Sequence, residues 1–145
     1  VRPRLSTWIW ASVLVSFLCG GPLALVAWTV WEWKDVGRAQ PVDCTKAMAF
    51  AEATLPKSAW DARCTATHWQ DTFVDVEFRM PRREVRPWLA GTYPGHEPPP
   101  SCHADVCLDV GYGEPPAPGG AAAVNVKVTY EDGDTALVHL GAFDL

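Results

Sequence analysis

Thr72-Phe-Val-Asp-Val-Glu-Phe-Arg79 is the stretch whose reading sets the fold. Val74, Val76 and Phe78 alternate with Asp75, Glu77 and Arg79, the period of a strand with one buried and one wet face. A strand of that kind needs neighbours with the same alternation, and a layer packed over the shared apolar face.

Working outward, Trp60 to His68 is predicted to be a strand, and Gln70-Asp71 in the connection makes an antiparallel hairpin with Thr72 to Arg79. A second hairpin closes the chain, Ala122–Tyr130 and Thr135–Phe143 around Glu131-Asp132-Gly133-Asp134. Asp-Gly supplies the positive φ values of a type I′ turn there. A short strand, Val106 to Tyr112, precedes that hairpin. Asp43 reads as the N-cap of a helix from Cys44 to Thr54, stopped by Pro56. Cys44, Ala47, Met48, Ala51 and Leu55 form its apolar stripe, with Lys46 and Phe50 off it. A second helix is expected over Arg82 to Ala90. Val85, Trp88 and Leu89 share one face, Gly91 is the expected left-handed stop, and Pro87 makes the helix short, kinked or partly 3₁₀. Thr92 to Ser101, with Pro94, Pro98, Pro99 and Pro100, is an irregular loop, and Glu114 to Gly120 a mobile Pro/Gly linker. The order α-β-β-α-β-β-β defines an α+β domain with a mainly antiparallel sheet and two short helices on one face.

Before this domain lies Leu5 to Trp33, an apolar run with no charged side chain until Glu32. From Trp8 to Trp31 a helix would rise roughly 35 Å, enough to cross a bilayer core with some tilt. Trp8 and Trp10 at one end, and Trp28, Trp31 and Trp33 at the other, look like two interfacial belts. Gly20-Gly21-Pro22 interrupts the span at its middle. The run is too long for a cleaved signal's apolar region, no small-x-small site closes it, and Phe17-Leu18 before Cys19 disfavours lipidation. The sequence therefore divides into an N-terminus of residues 1–4 on the cytoplasmic side, an anchor over 5–33, a connector over 34–42 and an extracytoplasmic domain over 43–145. The flanking charges Arg2, Arg4, Lys34 and Arg38 favour that orientation only slightly.

The chain carries a net charge of −5 over 145 residues. From Pro41 onward 8 Lys/Arg stand against 15 Asp/Glu, a net −7. An acidic domain of this kind does not fit nucleic acid or an anionic lipid surface as a partner. Apart from Cys19, expected to pack within the span, the cysteines are Cys44, Cys64, Cys102 and Cys107. An even count in a small domain behind a membrane segment reads as a disulfide framework in an oxidising compartment. Cys44–Cys64 with Cys102–Cys107 is one of three connectivities. The thiols lack the C-x₂-C and H-x₃₋₅-H spacings of a zinc site, so no metal or other cofactor is expected. The abundance of Ala, Pro, Val, Gly, Arg and Trp suggests a GC-rich bacterial gene.

Catalytic signals are weak. His68, His96, His103 and His139 show no ligand spacing, and Ser58 and Ser101 lack a G-x-S-x-G context. Gly111-Tyr112-Gly113 opens no helix that could hold a phosphate. Turn chemistry accounts for Asp132 and Asp134 without calcium. Arg79, Arg82, Arg83 and Arg86 form the single basic cluster. Guanidinium forks suit carboxylate or phosphate, so these four are the candidate ligand-binding residues, set against the plainer reading of a solvated, ion-paired face.

The block Phe78-Arg-Met-Pro-Arg-Arg-Glu-Val-Arg-Pro-Trp-Leu89, with Leu55-Pro56 upstream and Val128-Thr-Tyr-Glu-Asp-Gly133 downstream, resembles single-pass membrane proteins and lipoproteins of actinobacteria, of the streptomycete type. The resemblance spans about Asp43 to Leu145 and implies an anchored N-terminus with a small envelope-facing domain, and no activity. The expectation is a plasma-membrane protein held by Leu5–Trp33, whose domain is a non-catalytic accessory or binding module for an envelope protein or anionic polymer. The alternatives are a small envelope hydrolase, and a subunit whose membrane helix itself recognises the partner.

Overall fold

The computed structural model describes residues 5–15, 20–33, 36–97, 99, 102–112 and 119–144. The predicted N-terminus 1–4, Cys19, Lys34 and most of the Pro/Gly linker lie outside the described residues, as does Ser101. The chain divides into two compact units, the first ending at Val36 and the second beginning at Gly37.

In the first unit the described residues of the apolar run lie in two helices, α1 (Leu5–Val15) and α2 (Gly21–Trp33), with residues 16–19 outside the described residues. Pro22 lacks an N–H and clashes with a preceding turn, so it is tolerated only where a helix begins. At 11 and 13 residues the helices rise about 16 and 20 Å. Among the described residues no helix is long and apolar enough to cross a membrane. No residue of α2 is buried, and Trp28, Trp31 and Trp33 are all largely exposed.

The second unit is an α+β domain built on a six-stranded, wholly antiparallel sheet. Its strands are β1 (Gln40–Pro41), β2 (Trp60–His68), β3 (Thr72–Pro81), β4 (Val106–Gly111), β5 (Ala123–Tyr130) and β6 (Thr135–Phe143), in the order β1-β2-β3-β6-β5-β4. Both predicted hairpins form, and the β3–β6 pairing joins them. The register aligns Cys64, Val76, Leu140, Val126 and Leu108 in one row across the sheet, and Ala66, Val74, Ala142, Val124 and Val110 in the next. All ten are buried, on the face that the helices cover. β1 lies in the predicted connector; a two-residue strand ending in proline has no period to read.

Helix α3 (Cys44–Phe50) starts where expected. The Asp43 carboxylate accepts from Thr45 N (2.8 Å) and Lys46 N (3.2 Å), and those bonds hold its pKa below the usual carboxylate value. It ends earlier than Thr54, because Glu52 enters the left-handed region (φ 53°). Glu52 N then donates to Ala49 O and Ala53 N to Met48 O, a Schellman ending built on glutamate rather than glycine. The orphan carbonyls beyond are met from far along the chain: Ala121 N donates to Phe50 O, Tyr93 Oη to Ala51 O, and Trp88 Nε1 to Thr54 O. The Cys44–Cys64 disulfide ties the start of α3 to β2.

The second predicted helix is a 3₁₀ turn, Arg82–Glu84, followed by α4 (Val85–Thr92). Pro87 falls in the first turn of α4, where its missing N–H costs no helical bond. Gly91 does not stop the helix; the chain leaves it at Tyr93, and Gly95 takes the positive φ. The terminal hairpin also differs from expectation. Only Gly133 has positive φ there, so a four-residue loop closed by Glu131 N to Thr135 O replaces the type I′ turn.

Two outcomes follow from this packing. Phe78 is fully buried and meets Trp88 edge to face, at 5.5 Å between ring centres. Phe78→Ala should lower the unfolding free energy by about 3–5 kcal/mol, seen as a shifted denaturant midpoint. Burial raises the Tyr93 phenol well above its ordinary value of 10.0, and the half-buried Tyr112 is pushed up to about 12. Both hydroxyls point at Ala51 O. A raised folded-state pKa gives stability that is complete below the unfolded value, so the domain should hold to about pH 10 and lose stability as pH rises through 12. Tyrosinate absorbance that climbs without a matching loss of tertiary signal would contradict this.

Candidate functional site

The four arginines read as one cluster are separated by the fold. Arg79 ends on the open face of the sheet and grips Glu131 with two bonds (2.9 and 3.0 Å), with Asp61 at 3.3 Å. The Arg79 bond holds the Glu131 carboxyl below its usual pKa and raises that of Arg79. Arg82 lies over the Tyr130 ring, its guanidinium carbon 3.8 Å from the centre. Arg83 pairs with Asp134. These three therefore follow the plainer reading, as intramolecular ties of the end of β3 and the 3₁₀ turn to the β5–β6 hairpin. Arg82 N, which donates to Asp134 O at 2.9 Å, reinforces the same junction.

Arg86 is different. Among the described residues it has no ion pair or hydrogen bond, and it lines a cleft of about 470 Å³ between α4 and the start of β4. Leu89 and Ala90 form the helix side, Leu108 the strand side, and His96 comes from the loop after α4. Asp105 also reaches the cleft, but its carboxylate accepts from Tyr130 N at 2.7 Å. The Cys102–Cys107 disulfide borders the same space and pins the loop to β4. A cleft of mixed polar and apolar lining with one uncommitted guanidinium is suited to an organic anion: Leu89 and Leu108 offer apolar contact and the fork orients its carboxylate.

The expected disulfide residues, Cys44 with Cys64 and Cys102 with Cys107, are paired. Among the described residues no three His, Cys, Asp or Glu side chains are grouped to hold a metal ion. His139 Nδ1 lies 3.5 Å from Glu77 on the open sheet face, beside a depression of about 380 Å³ over Gly141. That hollow is lined by Phe73, Asp75, Asn125, Lys127 and Phe143 with them, and so carries no hydroxyl or thiol nucleophile. Ser58 is committed elsewhere, its Oγ donating to Glu84 Oε2 at 2.5 Å. His68 Nδ1 is 3.3 Å from Thr72 Oγ1. Asp132 and Asp134 stay in the hairpin loop, Asp134 as the partner of Arg83.

Sequence reasoning named Arg86 but read Leu89 as core and His96 as surface. Their convergence depends on how the α4-to-β4 connection folds back, which leaves no mark at short range.

Fold and site together define a disulfide-bonded α+β domain with a single-layer helical cover and a cationic cleft at one sheet edge. No protein-family model, curated protein or solved structure matches the chain.

The different settings of these arginines give opposite expectations for stability. Arg86→Gln should leave the melting temperature essentially unchanged, within about 0.5 kcal/mol of the parent. Arg79→Gln should lower it measurably, because it unties Glu131 and Asp61 together. Equal effects in thermal unfolding would mean that Arg86 is structurally committed after all.

Proposed function

We propose that this chain is a membrane-anchored binding domain on the extracytoplasmic face of a bacterial cell envelope, of the actinobacterial kind. It holds a carboxylate-bearing group in the Arg86 cleft and performs no reaction. The observation that carries the reading is the uncommitted guanidinium in a cleft that Leu89 and Leu108 also line, while its three neighbouring arginines are spent on internal partners. The two disulfides support an oxidising compartment. Helices that are apolar on every side, and in α2 without any buried residue, support an apolar surrounding for the Leu5–Trp33 run. The proposal is that this run, taken whole, anchors the domain, with tryptophans at both interfaces.

Binding is favoured over hydrolysis because among the described residues the cleft has no nucleophile with a base, and the His139–Glu77 pair lies on the other face of the sheet.

The test titrates the full chain in detergent micelles with capped peptides bearing a free carboxylate, and with the same peptides amidated. Amide shifts at Leu89, His96 and Leu108 should follow the carboxylate form. Binding should weaken at least tenfold on amidation and equally in Arg86→Gln. Indifference to both changes would sink the reading. In intact cells, a membrane-impermeant thiol reagent should label the domain only after reduction. Thiols that stay protected until lysis would place the domain in the cytoplasm instead.

A further inference from the structure

The two edges of the sheet are not equivalent. At the β2 edge, the outward carbonyls of Cys64 and His68 already accept from Val42 N (3.0 Å) and Gly37 N (3.4 Å). β1 covers the residues between, pairing with Thr65 and Ala66, and Pro41 brings no N–H of its own. A register break between Trp60 and Arg63, with Asp61 at φ 54°, disrupts what remains of that edge. This side is closed to a further strand.

The β4 edge is open. Tyr112 N donates to Ala122 O at 2.9 Å, just beyond the β4–β5 ladder. In an antiparallel ladder the bonded pairs alternate, so Val106, Leu108 and Val110 turn their backbone groups to β5. Cys107, Asp109 and Gly111 therefore turn theirs outward, and among the described residues no backbone group or side chain meets them; Asp109 and Gly111 are exposed, whereas Cys107 is buried. The Arg86 cleft runs along this same edge. Consecutive residues of β4 from both faces, Val106, Cys107 and Leu108, line it, as they can only if the opening lies beside the strand rather than over one side.

Resting on the binding reading above, we infer that the ligand is an extended peptide. It adds as a seventh strand to β4 and places a carboxylate on Arg86. The outward N–H and C=O groups of Asp109 and Gly111 supply the main-chain pairing, Leu89 and Leu108 receive an apolar side chain, and Arg86 sets the register. A partner's segment fits better than a second copy of this chain. β4 itself carries one carboxylate, Asp109, which lies on the open face and already accepts from Asn125. Two copies would also bring together domains that each carry −7.

The experiment uses the full chain in micelles and a pool of randomised, acetyl-capped hexapeptides with a free carboxylate, followed by amide hydrogen exchange. The amides of Asp109 and Gly111 should exchange fast in the free protein and slow at least tenfold with the pool. A pool N-methylated at alternate backbone amides should lose that protection, while Arg86→Gln should weaken the parent pool about tenfold. If the N-methylated pool binds as well as the parent and still depends on Arg86, strand addition is wrong and the cleft reading stands. Dependence on neither overturns both. Protection that appears without peptide and grows with protein concentration would assign the edge to a second copy. Slow exchange at every dilution would show the edge already covered. Either result overturns the inference.

Discussion

A long sheet covered by short helices is the constraint from which the rest of this domain follows. Strands of eight to ten residues extend about 26–33 Å, whereas α3 and α4, at seven and eight residues, reach about 10–12 Å. The helices cannot shield the whole apolar face. Connecting segments must do so, and each brings backbone groups that need partners. The end of α3 shows the solution. Carbonyls of Phe50, Ala51 and Thr54 accept from Ala121, Tyr93 and Trp88, drawn from α4 with its C-cap and from the entry to β5. That knot holds α3, α4 and the entry to β5 over the sheet together.

The same shortfall explains where the cleft lies. α4 packs its Val85, Trp88 and Leu89 side over the sheet, with Trp88 against Phe78 on the central strand β3, and the chain must then travel back to the outermost strand β4. The return segment is pinned by the Cys102–Cys107 disulfide and by Asp105 on Tyr130 N, but it does not close over the strand edge. A cleft remains, and Arg86 on the first turn of α4 borders it. Covalent and capping restraints thus hold open a space that a longer helix would have filled.

Charge is distributed in keeping with this. Arg79 ties the end of β3, and Arg82 and Arg83 the 3₁₀ turn, to the β5–β6 hairpin through Glu131, Tyr130 and Asp134. Exposed pairs of this kind contribute little each, yet together they fix the angle at which α4 leaves the sheet. Arg86, one turn further on, lies beyond the reach of that hairpin and keeps its donors free among the described residues. The proposed selection for an anionic group rests on this uncommitted guanidinium beside a strand edge of an acidic domain.

Local chemistry made much of this readable beforehand. The alternation in Thr72–Arg79, the Asp43 cap, the terminal hairpin strands and the even set of four cysteines are short-range signals, set by side-chain period and backbone sterics. The α+β class, and an antiparallel sheet with helices on one face, followed from them. Only the tertiary structure decided the β3–β6 pairing, the closing of one edge by a two-residue β1, and the early stop of α3 at a left-handed Glu52. It alone decided which arginine stays free. That depended on where Glu131, Tyr130 and Asp134 landed, about 50 residues away along the chain. A sequence states each residue's capacity to pair; which capacities are used up is settled by contacts between segments that carry no short-range record of one another.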